Sequence, residues 1–190
     1  TAFLQDANSL VMKTGALVEA LAYLRQTFPS LERVTSYARS KTVAQKSAEE
    51  LSDIQLAGLD RLHFGLESGD DALLKKIKKG VSQSMMIRFV SDAKSAGLHI
   101  HGDFAFGFPG ESRETIEETV QWACRIRPHT VQFQLMIPFP GTPFYDELLE
   151  NDCLKNGFPN FADLSAAQLE KYAKKAYRRY YMSLPYLREV

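Results

Sequence analysis

Several things are scarce in this sequence, and each shortage excludes something. There are two cysteines in 190 residues, Cys124 and Cys153. Their spacing matches no metal or redox motif, and so few thiols fit a reducing cytoplasm as the expected location. Neither charge is in excess: 23 basic side chains face 23 acidic ones, for a formal net charge of zero. A nucleic-acid polyanion or an anionic membrane surface is therefore not the expected partner. No apolar run reaches the roughly 18 to 20 residues of a helical membrane span. Repeats, low-complexity stretches and linkers are also missing. So is a polar, frayed start: "TAFLQDANSL" enters an apolar run at once, which reads as a piece cut from a longer chain.

What is present is an apolar content of 45%, enough for one sizeable core. After the strand-like Ala2-Phe3-Leu4, residues 14–27 carry Leu17, Leu21 and Leu24 beside Ala20, which is helical spacing. Phe28-Pro29 closes that helix. "RVTSYA" over 33–38 is a β-branched and aromatic strand. Ser47-Ala48-Glu49-Glu50 reads as a capping box for a helix through Gln55, with Gly58 as its stop. "RLHFGLE" over 61–67 is the third strand, and a lysine-rich helix follows it. Residues 82–97 form a helix ended by Gly97. "LHIHGDFAFGF" is a strand, Ser112 opens a helix to about Arg125, and "TVQFQLMIPF" is the fifth strand. Ser165-Ala166-Ala167-Gln168 caps a last helix through about Tyr180. Strand and helix alternate five times, so the fold class is α/β, with about five parallel strands and helical crossovers. A partial (β/α) TIM-like barrel and an open doubly wound sheet both fit.

Ligands of parallel α/β folds bind beyond the C-terminal strand ends. Here those ends read Gln5-Asp6-Ala7-Asn8, Tyr37-Ala38-Arg39, Glu67-Ser68-Gly69, Gly107-Phe108-Pro109-Gly110-Glu111, and Met136-Ile137-Pro138 running into Phe139-Pro140-Gly141. Five polar or glycine- and proline-rich ends together point to a shared pocket. Alternation puts His63, Gly65 and Glu67 on one face of the third strand, and Gln132, Gln134 and Met136 on one face of the fifth. Covered parallel strands are normally apolar on both faces, so these polar faces suggest a lumen that holds ligand. His99, His101 and Asp103 share a face of the fourth strand, but His99 lies at the end away from the pocket, and a structural role is favoured over a metal site. Cys124 reads as a small packed apolar group. Lys75, Lys76, Lys78 and Lys79 fit a solvated helix C-terminus. "YAKKAYRRYY" reads as a docking helix that packs its aromatics on the parent protein, in preference to an RNA-binding one.

The three stretches "GLDRLHFGLESGDDALLKKIKKG", "DFAFGFPGESRETIEETV" and "PFPGTPFYDELL", in this order, resemble the radical S-adenosylmethionine enzyme superfamily. The similarity runs over nearly the whole chain, toward members that carry a cobalamin-binding domain and toward anaerobic coproporphyrinogen-oxidase-like members. The resemblance implies a partial barrel truncated at its N-terminus. Residues 1–150 would be strands two to six, and residues 151–190 a C-terminal helical extension. It implies a CxxxCxxC loop after the first strand of the family fold, which this sequence lacks. The [4Fe–4S] cluster would therefore belong to the missing N-terminal segment of the same protein, since three thiolates are required.

For the whole protein, the resemblance implies that a reduced cluster donates an electron into the sulfonium of S-adenosylmethionine. A carbon–sulfur bond then breaks, and the 5′-deoxyadenosyl radical takes a hydrogen atom from a small-molecule substrate. The piece alone would be inactive. Residue by residue, the resemblance puts Gln5, Asp6, Ala7 and Asn8 at the cofactor's amino group and Arg39 at its carboxylate. Glu67 and Ser68 fall at the ribose or carboxylate, with Gly65 and Gly69 keeping bulk away from the sugar. Phe106, Gly107 and Phe108 fall at the adenine, and Met136, Ile137 and Pro138 beside adenine and substrate. Tyr37, Gln132 and Gln134 are substrate-lining candidates. No metal ligand or catalytic residue is expected in this chain, and a cobalamin would sit on a separate domain. A cluster-less scaffold domain of the same fold is the alternative. An aldolase-like barrel fits least, for want of a lysine or metal ligand at a strand end.

Overall fold

A computed structural model describes residues 1–5, 8–161 and 164–189. Its elements are β1 (Ala2–Leu4), α1 (Thr14–Thr27), β2 (Val34–Tyr37), α2 (Ser40–Val43), α3 (Ala48–Leu56), β3 (Arg61–Glu67), α4 (Asp71–Lys76), α5 (Gln83–Ser95), β4 (His99–Phe106), α6 (Arg113–Ile126), β5 (Thr130–Leu135), α7 (Pro143–Glu150), β6 (Leu154–Lys155), β7 (Phe158–Pro159), α8 (Ala166–Tyr181) and α9 (Leu184–Glu189). Strands β1 to β5 form one parallel sheet in sequential order. A doubly wound sheet reverses its strand order at a switch point, and this sheet does not. The structure thus selects the barrel-like architecture over the open doubly wound one.

By their contacts the residues fall into two units. The first comprises Thr1–Leu66, Leu74–Asp103 and Pro128–Val131. Its apolar interior joins Leu17 and Leu21 of α1, Leu51 and Ile54 of α3, Met86 and Phe89 of α5, and Leu62 and Phe64 of β3. Phe64 and Phe89 meet edge to face, with ring centroids 4.9 Å apart. Helix α3 starts where the sequence says it should. The Ser47 side chain accepts from the Glu50 N–H, and Glu50 returns the bond to the Ser47 N–H. Arg25 ties α1 to the chain before β3 by donating to the Gly58 carbonyl and pairing with Asp60 at 2.5 Å. Strand β3 alternates between part-buried and buried along its whole length, the pattern expected from "RLHFGLE".

The second unit comprises Glu67–Leu73, Phe104–Arg127 and Gln132–Val190. Helix α6 buries Ile116, Thr119, Val120, Trp122 and Ala123, and α8 packs on it. Phe133 of β5 stacks on Phe104 and Phe106 and meets the edges of Tyr177 and Tyr180. The tyrosines of "YAKKAYRRYY" are thereby used inside this unit: Tyr180 is buried, Tyr177 stacks on Tyr181, and Arg179 pairs with Glu117 of α6. The aromatic face of this helix thus finds apolar partners within the chain itself. Strands β4 and β5 stop at Phe106 and Leu135, earlier than their apolar runs suggest. Helix α7 is not among the elements read from the sequence. Pro143 sits in the first turn behind the Thr142 cap, where a missing N–H has no helical partner to lose.

Candidate functional site at the strand ends

In the second unit, the turn from β3 into α4 is held from below by one hydroxyl. Thr119 of α6 donates to the Thr115 carbonyl at 2.9 Å. Its oxygen then accepts from the Gly69 N–H at 2.9 Å and lies 3.1 Å from the Ser68 hydroxyl. Ser68 Oγ in turn accepts from the Asp70 N–H at 3.1 Å. Ser68 is fully buried, and its hydroxyl serves this network. Gly69 also takes a different role from the one expected. A β-carbon there would stand 2.9 Å from Thr119 Cα and 3.0 Å from Trp122 Cβ, so the residue is small because α6 runs against it, and the sugar-clearing role is corrected.

Glu67, just before this clamp, has φ +61. The left-handed region costs a non-glycine residue roughly 1–2 kcal/mol, and such strain persists where surrounding contacts enforce it. The bonds from Ser68, Gly69 and Asp70 supply that enforcement. Glu67 is half-buried.

The β4–α6 loop closes on a second carboxylate. Glu111 Oε2 accepts from the Gly107 N–H at 2.5 Å, and its other oxygen is buried with no hydrogen-bond partner among the described residues. Burial pushes the Glu111 carboxyl up to about 7. The N–H groups of Gly107 and Phe108 pull the other way, and the charge of Asp70 adds to the push. Gly107 has φ +104, and a β-carbon on it would meet Leu169 Cδ1 at 3.2 Å. Phe106 and Phe108 are buried. The Met136 N–H donates to the Phe106 carbonyl at 2.8 Å, so Met136 lies beside this loop. Pro138 is buried and Ile137 exposed. Gln132 and Gln134 are exposed and bonded to each other at 3.2 Å.

In the first unit, Asn8 organises the ends of β1 and β2. Its Oδ1 accepts the Arg39 N–H at 3.0 Å, and its Nδ2 donates to Thr42 at 2.9 Å. The Arg39 side chain and Gln5 are exposed. Asp6 and Ala7 lie outside the described residues. Tyr37 is exposed and packs against Phe3 and His63. His101 stacks on His63 with centroids 4.3 Å apart, while His99 stacks on His129. Among the described residues no group of three or more histidine, cysteine or acidic side chains could hold a metal ion, and no helix is long and apolar enough to cross a membrane.

Sequence reasoning missed Glu111 and Thr119 as working residues. Thr119 left one signal, a hydroxyl on the otherwise apolar face of α6. Glu111 left another, a carboxylate closing a "GFPGE" turn.

The sequence model of the Radical SAM superfamily matches residues 3–123. An uncharacterized methyltransferase of Pyrococcus horikoshii is 29% identical over 158 residues, covering 78% of this chain and 34% of that protein. The fold is similar to that of coproporphyrinogen III oxidase (HemN) from Escherichia coli, a radical SAM enzyme, with a TM-score of 0.69 at 13% identity over 92% of this chain and 38% of that one. It is also similar to the methyltransferase TsrM from Kitasatospora setae, solved with cobalamin and a [4Fe–4S] cluster, with a TM-score of 0.60 at 20% identity over 83% of this chain and 34% of that one. The chain thus spans about a third of the length of these relatives.

Proposed function

Because this chain belongs to the radical SAM superfamily, we propose that it is the C-terminal part of the barrel of an enzyme that uses S-adenosylmethionine for radical chemistry on a small-molecule substrate. The residues present do not fit the [4Fe–4S] cluster. Three thiolates must converge on such a cluster, and this chain has two cysteines, of which Cys124 is half-buried on α6 with its thiol pushed up by burial. The cluster ligands would therefore come from a segment N-terminal to Thr1, the chain alone would be inactive, and any cobalamin would sit on a separate domain.

The observation that carries the cofactor reading is the strained Glu67, φ +61, on the rigid Ser68–Thr119 clamp. Glu67 has a partner within the chain, and a carboxylate's two oxygens and about four lone-pair sites leave room to accept both hydroxyl protons of a ribose diol as well. The Phe106–Phe108 segment would meet adenine through carbonyl oxygen and the apolar surface beside it. Its preorganisation by Glu111 means that little ordering remains to be done on binding. Met136 would lie at the same ring.

The protein encoded with its upstream sequence tests this. A CxxxCxxC motif upstream of Thr1, and a brown protein after anaerobic reconstitution with iron and sulfide, are the expected results. An in-frame start codon and ribosome-binding site immediately upstream of the Thr1 codon, with no such motif, would favour the second reading, a cluster-less domain of the same fold. The cysteine count of this chain is the observation on its side.

A further inference from the structure

The first unit carries a feature that cofactor binding leaves unused. Phe3, Tyr37, His63 and His101, one from each of four successive strands, form a continuous row of rings across the sheet. Centroids are 4.8 Å apart from Phe3 to Tyr37, 5.7 Å from Tyr37 to His63, and 4.3 Å from His63 to His101. Two of these rings remain open to solvent, Phe3 at 36% and Tyr37 at 44%. Large exposed aromatics side by side on a parallel strand face are uncommon, because such strands are normally covered, and contiguous exposed apolar surface marks a binding site.

The two histidines differ in what they have left to give. His101 is fully committed: its Nδ1 lies 2.7 Å from the Thr130 hydroxyl and its Nε2 lies 3.3 Å from Asp103. That fixes the ring and turns its face to His63. The His63 side chain makes no hydrogen bond among the described residues, although the residue is half-buried. Burial holds its imidazole down at about 4, with His101 and Arg61 adding to the effect and Asp103 opposing it. At neutral pH it is an uncharged ring with one N–H donor and one bare nitrogen acceptor. The face therefore offers two flat apolar surfaces and, beside them, one donor and one acceptor. The cation near His63 is Arg61, whose Nε is buried away from solvent, and among the described residues no group of side chains could hold a metal ion.

We propose that the Phe3–Tyr37–His63 face binds a planar heteroaromatic ring, stacked on Tyr37 and Phe3 and hydrogen-bonded at its edge by His63. Resting on the enzyme reading above, this ring is the recognition element of the substrate. A heteroaromatic ring matches every group on offer: its face suits offset stacking on the aromatic rings, and its ring nitrogen or N–H suits the neutral imidazole. An aliphatic ligand of equal size would use neither the quadrupole nor the imidazole.

The test uses this chain alone, with quinoline and indole as probes and cyclohexanol as the apolar control. Binding is followed through the ring resonances of Tyr37 and the Cε1–H of His63. Saturable shifts at both residues are expected with quinoline or indole, and none with cyclohexanol. Tyr37→Ala should weaken binding about tenfold, the order of one lost stacking contact. Tyr37→Phe should keep it within about twofold, and His63→Ala should weaken it several-fold. Because Tyr37 is exposed, its replacement does not threaten the fold. No shift at either residue at millimolar probe, equal binding of cyclohexanol, or an unaffected Tyr37→Ala variant would each overturn the proposal. So would sedimentation as a dimer that Tyr37→Ala disperses, since a second copy would then be the occupant. Neither iron nor S-adenosylmethionine takes part in the measurement, so its failure leaves the radical enzyme reading standing, and a colourless full-length protein would leave the ring site standing.

Discussion

Replacing Glu111 by Gln isolates a single titration. The folded carboxyl has a pKa of about 7 against an ordinary 4.5. Between those values the folded state holds a proton that the unfolded state has already released. Stability therefore falls as pH rises through that window and stays low above it. At 1.36 kcal/mol per unit, the whole effect is about 3 kcal/mol. His63 works in the opposite sense. Its folded pKa of about 4 lies below the ordinary 6.5, so its contribution grows as pH rises from 4 to 6.5. The two slopes oppose each other in the wild type, and only a comparison with the variant separates them.

Glu111→Gln keeps an acceptor for the Gly107 N–H and removes the ionisation. The assay is urea unfolding at pH 5, 6, 7 and 8, followed by the fluorescence of Trp122, the single tryptophan, which is buried and packs on Phe104 at 6.0 Å in the same unit. The stability of the variant relative to wild type should rise with pH by about 2.5 kcal/mol between pH 5 and 8. A constant offset between the two curves, or a gap that moves the other way, would refute the assignment of the carboxyl as a buried proton-holder.

Three further outcomes follow from packing. Thr119→Val removes the oxygen that Ser68 and the Gly69 N–H depend on and should cost about 2–3 kcal/mol, the penalty for stranding buried polar groups, measured by the same urea titration. It should also speed amide exchange of Gly69, which a purely global loss of stability would not single out. Gly69→Ala puts a methyl 2.9 Å from a backbone carbon and should destabilise by roughly 1–3 kcal/mol, as overpacking does. Gly15→Ala meets nothing within 4 Å in the first turn of α1 and should stabilise the fold by up to about 0.5–1 kcal/mol of helix propensity, read as a higher melting temperature.

Much of the fold could be read in the sequence because it rests on local codes. The alternation in "RLHFGLE" emerges as a strand with one buried face, and Ser47 and Ser165 cap their helices with the box partners three residues on. What could not be read depends on where distant residues meet. The reason for Gly69 is α6, fifty residues away in the chain, and no local pattern states that the two approach. Glu111 looks like a surface carboxylate after a glycine turn until its loop folds back over it. Helix α7 was hidden because Pro143 has opposite meanings in the middle and at the start of a helix. The aromatic row escaped for a further reason: Phe3, Tyr37, His63 and His101 are single residues on four strands, and only the sheet register places them side by side.

The adenosyl site is tested most directly by titration. Titrating S-adenosylmethionine into the labelled chain while following backbone amides should perturb Glu67, Gly107, Phe108 and Met136 together, and Glu67→Ala should weaken that binding at least fivefold. Perturbations confined to other residues, or a Glu67→Ala variant that binds as wild type does, would contradict it.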